Sequence, residues 1–186
     1  RRWRLLGWLM MAIIFGCDSA LQVGTSVQSG RQALLRKEPA RALPHFADAA
    51  GKDPNYTYRS VHFSEGIWTY VGRCQYATGN FSQAQQSLEL ALTKDKDDIL
   101  ARLYLGVTLL RSGNEGRGQT ELHNALQSLH DWIENILTSR SAESYWDPNK
   151  QIRSEIKKTL ALLTAASGDH RQILTNADWL GAEIEE

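Results

Sequence analysis

Apolar and small residues in the central part of the chain recur at a fixed interval. Val71 and Leu105, Gly72 and Gly106, Gly79 and Gly113, Leu88 and Leu122, Ala91 and Ala125, and Leu92 and Leu126 each stand 34 residues apart. No segment sustains a period-two alternation, so the pattern predicts helices and essentially no sheet. Gly79-Asn80 and Gly113-Asn114 are the turns: glycine enters the left-handed conformation that ends a helix, and asparagine suits the cap of the next. Leu122–Leu137 reads as one extended helix, followed by a loop around Ser139–Asn149. Ser154–Ser167 and Asp169–Ile184 read as a last helical pair joined at Gly168.

A recurrence of this length is a helix–turn–helix unit packed against copies of itself. Gly72 and Gly106 leave room for one helix to lie close on the next, and Ala84, Ala91 and Ala125 do the same on the second helix of each unit. Trp68, Phe81, Leu88, Leu105 and Leu122 supply apolar fill. The block Glu65–Asp98 resembles the tetratricopeptide family, with Trp68, Val71, Gly72, Gly79, Phe81, Ala84, Leu88 and Ala91 on its signature places. It departs at Gln75 and Lys96. The block Ile99–Trp132 repeats the resemblance through Leu105, Gly106, Leu109, Gly113, Gly118, Leu122 and Ala125, with Arg102 where a tryptophan is usual. A looser copy, Val23–Tyr56, carries Gly30, Ala42, Phe46, Ala49 and Pro54. Its Pro39 suits a first helical turn and its Pro44 an interior position less well.

The resemblance implies an all-α fold, a short right-handed α-solenoid of three to four repeats. The expected organisation is a signal segment at 1–17, a tether at 18–22, repeats at 23–56, 65–98 and 99–132, a helix extension and loop at 133–149, and a capping pair at 150–186. Eight extra residues, Thr57–Ser64, separate the first two repeats and are expected to lengthen a helix or form a surface loop.

Ahead of the repeats, Arg1-Arg2-Trp3-Arg4 precedes an apolar run from Leu5 to Gly16. That run is shorter than the roughly 20 residues a membrane-spanning helix needs, and it follows a basic stretch as a secretory signal does. Ile14-Phe15-Gly16-Cys17 resembles a bacterial lipobox, with Phe15 bulkier than is usual there. The resemblance implies cleavage before Cys17, a thioether-linked diacylglycerol on its sulfur and an acylated amino group. An uncleaved anchor or a buried apolar helix is the alternative. Asp18 resembles the signal that retains lipoproteins in the inner membrane of enteric bacteria; the choice between inner and outer membrane stays open. The opening on Arg1 and the ending on Glu185-Glu186 lead to the expectation that the natural chain is longer at both ends.

Charge adds a restriction. Twenty-one basic and 21 acidic side chains balance to zero, which gives no general attraction to nucleic acid. Loss of Arg1, Arg2 and Arg4 with the signal would leave 18 basic against 21 acidic, net −3, and Cys74 as the sole side-chain thiol not committed to lipid. With two cysteines in all, a disulfide framework is excluded. His123 and His130 share a helix face about 10 Å apart, too far to ligate one metal together. No phosphate-binding, zinc-protease, nucleophile-elbow or dinucleotide motif occurs. No metal, cofactor, small-molecule substrate or catalytic residue is expected, and an enzyme is the remote alternative.

The remaining chemistry belongs to the repeat resemblance, in which certain first-helix positions line a groove. Carried onto this chain they include Arg31, Thr69, Arg73, Tyr76, Leu103, Val107, Leu110 and Arg111. Arg31, Arg73 and Arg111 would form a basic stripe beside apolar ground, suited to a protein or peptide partner with acidic and apolar side chains. Intramolecular ion pairs are the competing use of those arginines. Tyr145 and Trp146 offer a second candidate contact in a loop, or a plug for the end of the stack. The expectation is a lipid-anchored adaptor facing the periplasm of a bacterial cell envelope. A stoichiometric accessory subunit of one membrane complex is the alternative.

Overall fold

A helix runs over residues 20–35 (α1), followed by α2 (Pro39–Lys52), a two-strand hairpin of β1 (Thr57–Arg59) and β2 (Ser64–Gly66), and α3 (Ile67–Ala77). Then come α4 (Phe81–Lys94), α5 (Ile99–Arg111), α6 (Glu115–Ser139), α7 (Gln151–Thr164) and α8 (His170–Glu183). The computed structural model describes residues 20–59, 64–139, 147, 149–165 and 168–184. The fold is all-α apart from the hairpin. Cys17, Tyr145 and Trp146 lie outside the described residues. Among the described residues no helix is long and apolar enough to cross a membrane.

One packing contact occurs three times. A Cβ added at Gly72 would stand 2.5 Å from Leu88 Cγ, one at Gly106 would stand 2.7 Å from the backbone nitrogen of Leu122, and one at Gly30 would stand 2.7 Å from the Phe46 ring. In each case the partner is 16 residues further on, in the following helix. Seven residues after each of these glycines the backbone turns left-handed, at Lys37 (φ 59°), Gly79 (φ 80°) and Gly113 (φ 81°).

The same two hydrogen bonds close each turn. Glu38 N donates to Ala33 O, Asn80 N to Gln75 O and Asn114 N to Leu109 O, at 3.0, 2.8 and 2.9 Å. Lys37 N donates to Leu34 O, Gly79 N to Tyr76 O and Gly113 N to Leu110 O. These are Schellman closures, which satisfy carbonyls that a helix end leaves free. Asn80 occupies the cap position of α4, but its side-chain amide donates to Thr78 Oγ1 instead of capping. Pro39 sits in the first turn of α2, and that helix continues through Pro44.

The hairpin corrects the expectation of no sheet and of a longer helix or plain loop at residues 57–64. Thr57 pairs with Gly66, Tyr58 with Glu65 and Arg59 with Ser64. Three residues per strand are too few for an alternating pattern to stand out. Thr57, Tyr58 and Arg59 run exposed, half-buried, exposed, and Ser64 exposed is followed by Glu65 buried. Ile67 N donates to Tyr56 O at 2.9 Å and Trp68 Nε1 to Pro54 O at 3.1 Å, fixing the hairpin to the start of α3.

Two apolar clusters fill the interior. Val23, Val27, Ala42, Phe46, Ala49, Val71 and Cys74 join α1, α2 and α3, with Phe46 stacked on Tyr70 at 4.6 Å between centroids. The second runs from Tyr76 through Leu88, Leu105, Leu122, Leu126 and Ile156 to Leu180, and Trp68 packs against both. Helices pack on their neighbours in sequence, with α3 also meeting α5 and α5 meeting α8. Asp98 caps α5 by accepting from Ala101 N at 2.8 Å, and Asp169 caps α8 by accepting from Arg171 N and Gln172 N.

Candidate functional site

The face shared by α3 and α5 collects most of the residues singled out from the sequence. The three arginines expected to line a groove, Arg31 on α1, Arg73 on α3 and Arg111 on α5, do not form an open stripe. Each is drawn onto a tyrosine. Arg31 lies 3.8 Å from the Tyr58 ring centroid, Arg73 lies 5.3 Å from both Tyr70 and Tyr104, and Arg111 lies 5.5 Å from Tyr76. These are distances at which a guanidinium is attracted by the negative face of an aromatic ring.

Arg73 is 4% exposed and pairs with Glu65, which the hairpin carries beneath the surface. Tyr70 hydrogen-bonds the same carboxylate, and Tyr104 hydrogen-bonds the guanidinium. Burial pushes the Glu65 carboxyl above its ordinary range, and the neighbouring Asp98 adds to this while Arg73 opposes it. Burial also disfavours the charge on Arg73, but Glu65 together with Tyr104 and Tyr70 more than offsets it and the guanidinium stays protonated. A pair so enclosed loses hydration on both sides, so its net contribution to stability is small while removal of one partner alone is costly.

Beside this pair, Thr69 donates to Asp98 Oδ2 at 2.7 Å. Burial raises the Asp98 carboxyl above its usual value against the pull of the Ala101, Thr69 and Gly66 donors. Cys74, one position after Arg73, is fully enclosed, and burial pushes its thiol up to about 12, so it stays protonated at neutral pH. Among the described residues no group of three or more His, Cys, Asp or Glu side chains is placed to hold a metal ion.

At the other end of the face, α8 lies over the groove positions. Tyr76 Oη donates to Asp178 Oδ1 at 2.5 Å, Arg111 Nη2 donates to Asp178 Oδ2 at 2.6 Å, and Arg111 Nε donates to Tyr76 Oη at 2.6 Å. The hydrogen bond from Arg111, with its charge, would ease ionisation of Tyr76, but burial prevails and raises the phenol. Gly181 sits against Tyr104, where a Cβ would come 2.8 Å from the hydroxyl.

The other groove positions differ from the expectation of an accessible lining. Thr69, Leu103, Val107 and Leu110 are buried. Leu110 faces α6, because Gly118 brings that helix so near that a Cβ there would meet Leu110 Cγ at 2.9 Å. Tyr76 is buried as well, and of the residues that α8 covers, Tyr76, Tyr104 and Arg111, Arg111 is the most exposed. Glu65, Tyr70, Tyr104 and Asp178 are participants that the sequence reading passed over. Tyr70 and Tyr104 carried a usable signal, since they stand 34 residues apart and occupy equivalent places.

Between α7 and α8 a cleft of about 730 Å³ opens, lined by Ala161, Leu162, Thr175, Asn176 and Trp179, with Glu155, Lys158 and Gln172 also on its walls. Compared with family models, curated proteins and solved structures, the chain matches none of them.

Proposed function

We propose that this chain is a non-enzymatic, lipid-tethered adaptor of a bacterial cell envelope, made of tetratricopeptide-like helix pairs stacked as a short solenoid. The observation that carries the reading is the threefold glycine contact with its left-handed turn seven residues later. A unit repeated in this way extends by stacking and presents successive first helices along one face, an arrangement suited to holding a segment of another protein. Arg111 beside Tyr76 adds the chemistry: a half-exposed guanidinium that binds carboxylate through more than one donor. The lipobox-like Ile14–Cys17 supplies the tether. Confinement to a membrane surface raises the effective concentration of the adaptor near a larger assembly.

Crosslinking in native membranes followed by mass spectrometry, together with fatty-acid labelling of wild type and Cys17→Ser, tests this reading. An adaptor incorporates label through Cys17 and yields crosslinks from the α3–α5 face to another protein while most of it extracts free in detergent. Co-migration of nearly all the protein with one assembly would favour the stoichiometric-subunit reading instead. Intact Arg1–Gly16 with undiminished membrane retention in Cys17→Ser would replace the lipid by an uncleaved anchor.

A further inference from the structure

We infer that the outer face of α1 lies along an anionic phospholipid surface, so that the first helix pair is the membrane-facing end of the molecule. This deepens the lipid-tethered reading above and rests on it.

Spacing and exposure define the face. Val23, Val27 and Ala33 turn inward from α1 and enter the apolar cluster shared with α2 and α3. On the opposite side Leu21, Thr25, Gln28, Gln32 and Leu35 are all exposed. Leu21, Gln28 and Leu35 stand seven residues apart, close to two helical turns each time, so they share one side of the helix. Leu21 is 71% and Leu35 69% exposed, the most exposed large apolar side chains among the described residues. No acidic residue occurs in α1. A leucine at each end of an uncharged stripe fits the boundary between headgroups and acyl chains, where apolar side chains gain by burial and amides stay hydrated.

Charge selects the kind of surface. Residues 20–59 hold six basic and three acidic side chains, whereas residues 60–186 hold 12 basic and 17 acidic. Arg36 and Lys37 follow Leu35 directly and are both exposed, and the carboxylate beside them, Glu38, pairs with Arg41. Each basic side chain close to anionic headgroups strengthens attraction about fivefold. The acidic remainder of the chain is repelled by the same surface, which orients the molecule with its first helix pair inward.

Position follows from the tether. Cys17 precedes Ala20, where α1 begins, by three residues, a span of about 11 Å at most. A lipid on Cys17 therefore holds the start of α1 at the headgroups. Leu35 lies 14 residues beyond Leu21, about 21 Å along the axis, and meets the surface only if α1 lies down on it. Leu35, Arg36 and Lys37 supply the second contact that a single attachment point lacks.

The test uses the full chain in vesicles of phosphatidylethanolamine with phosphatidylglycerol, and in vesicles of phosphatidylcholine alone. An environment-sensitive fluorophore is attached to Leu21→Cys, Gln28→Cys, Leu35→Cys or, as the distant control, Lys157→Cys on exposed α7; the buried Cys74 does not compete for it. Lipids brominated near the headgroup are expected to quench positions 21, 28 and 35 in the phosphatidylglycerol vesicles and to spare 157. Arg36→Gln/Lys37→Asn removes two cations, and asparagine accepts the left-handed backbone at 37, where φ is 59°. In that variant the ratio of docked to undocked molecules at position 35 falls about tenfold or more while position 21 stays quenched. Phosphatidylcholine vesicles give the same loss. Quenching at 21 without quenching at 35, equal quenching at 157, or indifference to lipid charge overturns the inference. Self-quenching between labels at position 28 without quenching by lipid also overturns it and assigns the face to a second copy of the chain. Intact mass reports the lipid on Cys17 separately: a mass without it defeats the tether, whereas a lipidated chain with position 35 in water defeats the docking.

Discussion

Gly106→Ala probes the close helix approach on which the fold depends. The added Cβ would lie 2.7 Å from Leu122 N, 2.9 Å from Leu122 Cα and 2.9 Å from Leu122 Cβ, where ordinary contact begins near 3.4 Å. Two of these atoms are backbone and cannot rotate away, so α5 and α6 must separate. A gap of roughly 0.5–1 Å forfeits about a quarter to a half of the dispersion attraction at each contact along the interface. Overpacking of this kind costs about 1–3 kcal/mol. Alanine recovers about 0.8–1.0 kcal/mol of helix propensity. The steric loss wins, leaving a net destabilisation on the order of 1–2 kcal/mol. That lowers the melting temperature by about 2–4 °C per kcal/mol in a chain of this size. Gly24→Ala is the control, because nothing lies within 4 Å of a Cβ there. It retains only the propensity gain and is expected to stabilise by about 0.5–1 kcal/mol. Urea unfolding followed by circular dichroism measures both. If Gly106→Ala matches or exceeds Gly24→Ala in stability, the close approach does not hold the helices together and the reasoning fails.

Arg73→Ala leaves Glu65 buried without its guanidinium and is expected to cost about 3–5 kcal/mol, whereas Arg73→Met/Glu65→Leu comes within about 1–2 kcal/mol of wild type. Urea unfolding of both tests this, and equal losses would remove the pair from its assigned role. Asp98 has a folded-state pKa raised by burial above its ordinary 3.8, so the stability it contributes is fully present below that value and is lost as the pH rises through the folded pKa. Asp48, lowered by Lys52 and Ser26, acts in the opposite sense, so total stability is a poor readout. Wild type should instead gain relative to Asp98→Asn on going from about pH 7 to about pH 4, and a shrinking difference would reverse the assignment.

Spacing reveals the close helix approach at Gly72 and Gly106 and the left-handed turns at Gly79 and Gly113, because both follow from local rules that recur every 34 residues, whereas the turn at Lys37 carries no glycine to announce it. A missing side chain at Gly72 or Gly106 signals close approach, and Gly79 or Gly113 signals a helix end. The hairpin escaped for the opposite reason: it occurs once, its strands are three residues long, and its purpose is visible only when Glu65 meets Arg73. Asp178 is harder still. It reaches Tyr76 across 102 residues, and nothing near either residue announces the other. The groove positions follow from the repeat resemblance, which takes no account of a later helix lying over Tyr76 and Arg111. Arg31, Arg73 and Arg111 accordingly satisfy the chain's own tyrosines and carboxylates, the use that a reading by equivalent positions leaves open.

The central claim is that the α3–α5 face receives another protein, and site-specific photo-crosslinking in intact envelopes tests it most directly. With the crosslinker placed at Arg102, beside Glu121 in a cleft lined by α5 and α6, and separately at Asp178 on α8, the two positions report different faces. The adaptor reading predicts a discrete protein adduct from position 178 that is absent from position 102. Adducts from position 102 alone, or the same adduct from both positions, would contradict it.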